Sequence, residues 1–117
     1  MKIKILNDLT ISPLKYSNMW RLVKTWRVKI DSDTIRVKKG FETDFASVPR
    51  LAWWFCSPAG GLYRQPAVLH DWMYVEAYKT KDYADKVFLH FMRDMGVGFF
   101  KRNLMYLAVK LFGRGNY

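Results

Sequence analysis

The sequence predicts an α+β fold, with an N-terminal antiparallel β-hairpin or small sheet packed on a C-terminal layer of about four helices. Three observations predict it. Apolar residues alternate with period two before residue 40. They recur at helical spacing after it, and the chain places its strands first and its helices second. At 117 residues the chain fits one domain, read here as 1–117 with a basic strand region (1–40), a central region (41–95) and a basic C-terminal helix (96–117).

Lys2 to Leu6 is the first candidate strand. From Trp20 to Ile30 the positions Trp20, Leu22, Trp26, Val28 and Ile30 are apolar, interrupted by Lys24, while Arg21, Thr25, Arg27 and Lys29 alternate with them. That is the pattern of a half-buried strand. Asp31-Ser32-Asp33 forms the turn of a hairpin whose second arm carries Ile35 and Val37. After Gly40, Ser47 before Val48-Pro49 reads as the N-cap of a short helix through Leu51-Ala52-Trp53-Trp54-Phe55. Pro66 opens a second helix running to about Tyr78. Thr80 caps a third, ending at Gly96, and Phe99–Phe112 makes a fourth, closed by Gly113.

Composition excludes several classes. Half of the residues are hydrophobic and 17% are aromatic, too apolar for a disordered chain. The longest apolar run, Leu51–Cys56, is far short of the ~20 residues of a spanning helix. The start lacks the apolar stretch of a Sec-type signal. Cys56 is the only cysteine, which excludes an intrachain disulfide and a four-thiolate zinc site. The net charge of +10 is uneven: residues 1–40 hold ten Lys/Arg against three Asp, and residues 96–117 hold Lys101, Arg102, Lys110 and Arg114 with no acid. These flanks are either solvated surface or a footprint for an anionic partner. The central region holds seven acids and both histidines.

His70 falls on one face of the second helix with Pro66, Met73, Tyr74 and Ala77, and Asp71 lies one step round. On the third helix Asp85 shares a row with Leu89 and Met92, so its carboxylate needs a buried partner. Antiparallel helices joined near Lys79-Thr80 bring His70 and Asp85 together. Such a pair is either a general-base dyad, in which Asp85 fixes the tautomer of the imidazole, or a satisfied core pair. Asp71 and Asp44 offer hard oxygens for a divalent cation, most simply calcium, whereas Asp44 alone also suits a turn or a cap. Trp53 and Trp54 are expected in the core, with interfacial anchoring as the alternative for Trp53, Trp54 and Phe55. His90 is read as surface or capping.

The series Gly40-Phe41-Glu42-Thr43-Asp44-Phe45-Ala46-Ser47-Val48-Pro49-Arg50, Ala67-Val68-Leu69-His70-Asp71-Trp72-Met73-Tyr74, Ala84-Asp85-x-x-Phe88 and Met105-Tyr106-x-Ala108-Val109 resembles a phage and prophage family known as domain of unknown function 1353. That resemblance implies a viral or prophage origin and no settled activity. It places the protein in the host cytoplasm during infection or packaged in the virion. His70-Asp71-x-x-Tyr74 is also similar to the helix motif of phospholipase A2, and Asp85 matches the carboxylate of that family's second helix. This second resemblance implies that His70 activates a water, Asp71 binds calcium and Tyr74 hydrogen-bonds Asp85. The remaining metal ligand would be Asp44 or the carbonyls at Gly60-Gly61.

The expectation is a calcium-assisted, phospholipase A2-like lipid ester hydrolase acting on an anionic phospholipid surface of a bacterial envelope. The alternative is a non-catalytic virion or accessory protein that docks an acidic phage protein. Nucleic-acid binding rests on charge alone.

Overall fold

In a computed structural model, residues 1–15, 17–45, 47–54 and 61–117 are described. The chain is α+β, strands first and helices after, and forms two compact units, Met1–Asp44 and Phe45–Tyr117.

The first unit holds two three-stranded antiparallel sheets. One is ordered β1 (Ile3–Ile5), β4 (Trp26–Ile30), β5 (Asp33–Val37), and the other β2 (Ile11–Pro13), β3 (Trp20–Leu22), β6 (Glu42–Thr43). The expected long strand from Trp20 to Ile30 is thus two strands in different sheets, because the chain breaks between Leu22 and Trp26. Past the break, period-two alternation holds: Trp26, Val28 and Ile30 are buried beside Ile35 and Val37, with Trp26 opposite Val37 and Val28 opposite Ile35. The other face of this sheet is exposed and basic. Lys4 lies directly opposite Lys29, and Arg27 opposite Arg36. Asp31, at φ 53°, makes the hairpin turn and accepts a hydrogen bond from the Lys2 backbone N–H.

The second unit is helical. The short helix expected here is a 3-10 helix, Arg50–Trp54; Ser47, expected as its cap, precedes it and turns its hydroxyl to His70 instead. A second 3-10 helix, Gly61–Tyr63, leads into α1 (Arg64–Glu76), followed by α2 (Lys81–Asp94) and α3 (Phe99–Phe112). Thr80 caps α2 as expected, its hydroxyl accepting from Tyr83 N–H. α2 packs on both α1 and α3, and the core gathers Leu69, Met73, Phe88, Phe91, Met92 and Met105. Trp54 corrects the core reading, being 85% exposed, whereas Trp53 is half-buried and donates from its indole to Val48 O. Phe55, Cys56 and Gly60 lie outside the described residues.

After α3 the chain runs back along the end of α1. Asn116 N–H donates to Tyr74 O at 2.9 Å, and the Tyr117 ring meets the Tyr74 ring edge-on at 5.4 Å. Two glycines allow this approach. A Cβ on Gly113 would stand 2.7 Å from the Tyr74 hydroxyl, and one on Gly115 would stand 2.7 Å from Tyr74 Cβ.

Candidate functional site: a buried Ser-His-Asp cluster

The second unit brings Ser47, His70, Tyr74, Lys81 and Asp85 into one hydrogen-bonded cluster. Helical spacing explains half of it: His70 and Tyr74 lie one turn apart on α1, and Lys81 and Asp85 one turn apart on α2. A short turn through Ala77 (φ 50°) and Lys79 (φ 54°) returns the chain so that the two pairs meet. His70 Nε2 lies 2.8 Å from Asp85 Oδ1, and the Tyr74 hydroxyl donates to the same oxygen. Lys81 Nζ donates to Asp85 Oδ2 at 2.8 Å and to the carbonyls of Val109 and Lys110 at 3.0 and 3.1 Å, near the end of α3.

The opposite ring nitrogen has a different partner. His70 Nδ1 lies 3.0 Å from Ser47 Oγ, and Ser47 N–H donates to Asp71 Oδ1 at 3.2 Å. A carboxylate only accepts, so Nε2 carries the proton and Nδ1 accepts from the Ser47 hydroxyl. This tautomer leaves the basic lone pair on the side away from Asp85, facing an oxygen.

Burial sets the electrostatics. His70 is 1% exposed, with its ring centroid 4.2 Å from that of Tyr74 and 4.7 Å from that of Phe88. Loss of solvent lowers its pKa below 6.5, although hydrogen bonding to Asp85 and the charges of Asp85 and Asp71 pull the other way. At Asp85 burial acts to raise the pKa, but the hydrogen bonds from His70, Lys81 and Tyr74 outweigh it and hold the carboxyl below its ordinary value. Burial and the adjacent Asp85 push the Tyr74 hydroxyl far up. At neutral pH the cluster therefore pairs an anionic Asp85 with a neutral imidazole and the Tyr74 hydroxyl.

A model of the family described as "Protein of unknown function (DUF1353)" matches residues 20–109. The chain belongs to the DUF1353 family. No curated protein and no solved structure matches it. In this DUF1353 chain, three of the residues singled out from sequence, His70, Tyr74 and Asp85, touch one another, and Asp71 joins them through Ser47. Asp44 is half-buried at the last position of the first unit. Sequence reasoning missed two members. Lys81 was legible from its i,i+4 spacing to Asp85. Ser47 was assigned to a helix cap, and no local signal marks its contact with a residue 23 positions away.

The fit to calcium is limited among the described residues. Calcium takes six to eight oxygens, Asp85 is already bound by three donors, and Asp71 is the only other carboxylate of this unit described beside His70. No group of three or more His, Cys, Asp or Glu residues able to hold a metal gathers among the described residues.

Proposed function

We propose that this DUF1353 protein is a phage-encoded, phospholipase A2-like hydrolase of lipid carboxylic esters, acting on a bacterial envelope with His70 as its general base. The observation that carries the reading is the two-sided use of one imidazole: Nε2 is anchored on Asp85, and the basic Nδ1 faces an oxygen rather than an acid. When an ester carbonyl reaches this point, Nδ1 takes the proton of the attacking water as its oxygen bonds to the carbonyl carbon. The proton then passes to the departing alkoxide as the acyl–oxygen bond breaks. Asp85 stabilises the transient imidazolium, while Tyr74 and Lys81 hold Asp85 in place. The neutral resting imidazole is the form this step requires.

Access requires the segment carrying Ser47 to move. Phe45, two residues before it, holds a left-handed backbone at φ 61°, a conformation that costs a bulky residue about 1–3 kcal/mol. Strain of this kind gathers where a segment has a function to serve.

One observation favours a second reading. Ser47 and Asp85 are each 2% exposed and His70 1%, which is the enclosure of a structural network. On that reading the protein is a non-catalytic phage accessory or virion component whose basic surface docks an acidic partner. Fatty-acid release from phosphatidylglycerol vesicles separates the two, measured for wild type and for a folded His70→Gln variant, each with and without calcium. Release by wild type and none by the variant is expected. A calcium requirement would bring Asp71 in as a ligand, and no release under any condition leaves the accessory reading.

A further inference from the structure

Helix α3 has two apolar faces. Met105 and Val109 are buried on one. Around the other side, Phe100, Leu104, Leu107 and Leu111 follow one another at i, i+4, i+7 and i+11, a single stripe along the helix. Phe100 is 76% exposed, Leu107 and Leu111 are exposed and Leu104 is half-buried. Phe99 and Phe112 are exposed at the two ends of the helix. A large contiguous apolar surface of this kind on a folded unit marks something to be covered.

The charges identify what covers it. Lys101 and Lys110 project about a quarter-turn to either side of the stripe, and residues 96–117 hold four cations and no acid. Lys101 and Arg102 stand in the first turn of α3, where the helix dipole disfavours cations. Arg102 also borders a cavity of about 170 Å³ with Phe99, Arg93 and His90, whose buried Nδ1 has no hydrogen-bond partner among the described residues. A second copy of the chain would set these cations against their like. An apolar stripe with basic flanks on a helix too short to cross a membrane suits the interface of an anionic bilayer.

We propose that α3 is a membrane-docking helix that lies in the surface of an anionic phospholipid bilayer, with Phe100, Leu104, Leu107 and Leu111 inserted and Lys101 and Lys110 at the headgroups. Trp54, exposed on the 3-10 helix that packs against α3, is a further interfacial ring. This inference rests on the lipid partner of the reading above and needs none of its chemistry.

The test is co-sedimentation of the full chain with vesicles. Wild type is expected on phosphatidylglycerol vesicles, with little on phosphatidylcholine, and Lys101→Gln with Lys110→Gln should weaken binding about fivefold per lysine. Leu107→Glu with Leu111→Glu changes only exposed side chains and should abolish binding with an unaltered circular dichroism spectrum. Undiminished binding by that double variant overturns the proposal. So does a wild-type dimer that the same variant converts to monomer without any lipid binding, since the face would then belong to a second copy. Wild type that binds phosphatidylglycerol vesicles but frees no fatty acid leaves docking standing and removes the hydrolase. Wild type that cleaves a dispersed short-chain ester but ignores vesicles removes docking alone.

Discussion

His70 has to give up solvent on both nitrogens to sit where it does, and its two partners decide how much that costs. Because burial lowers its pKa below 6.5, the unfolded chain binds more protons than the folded one at acidic pH. Stability should therefore fall as pH drops below about 6.5 and level off once the folded group also titrates. Urea unfolding at pH 7.5 and 5.5 checks this, and His70→Gln should flatten the difference. Removing the carboxylate is more severe. Asp85→Ala leaves Lys81, Tyr74 and His70 without their common acceptor and should cost about 3–5 kcal/mol. Ser47→Ala strands the Nδ1 acceptor alone and should cost about 1–3 kcal/mol in the same denaturation experiment. That variant also bears on chemistry: in the hydrolase reading, where water attacks, it should retain activity.

Among the elements, Lys81 joins two helices that the sequence shows only one at a time. Its ammonium group meets the carbonyls of Val109 and Lys110 near the end of α3, the first of which also accepts from Gly113 N–H, while also holding Asp85. Lys81→Met should cost about 1–2 kcal/mol and speed amide exchange in the last turn of α3, leaving the start of α1 protected. The same contrast explains what was legible. Thr80, Pro66 and the Phe99–Phe112 span mark helices through local chemistry, and the His70–Asp85 pairing followed from an apolar row carrying a carboxylate. Strands β2 and β6, of three and two residues, are too short to show a period. The break between β3 and β4 is set by sheet pairing rather than composition. Ser47 looks like a cap because Ser just ahead of a Pro is a helix-start signal; here the stronger claim on its hydroxyl comes from a distant ring.

At the scale of the whole molecule, the excess of ten positive charges acts against compactness, and it is sharpest where Lys4 faces Lys29 and Arg27 faces Arg36. Like charges opposed across a sheet cost about 0.2–1 kcal/mol per pair, and salt screens them over about 10 Å at 0.1 M. Raising salt from low to moderate concentration should raise the melting temperature by a few degrees. Arg36→Glu should raise it at low salt and blunt the salt response, which a pair of thermal scans would show. A quieter consequence lies at the far end of the chain. Tyr117 rests edge-on against Tyr74, whose hydroxyl shares an oxygen of Asp85 with His70. A fluorine atom introduced on the Tyr117 ring would therefore serve as a remote listening post, its resonance shifting when the imidazole gains a proton.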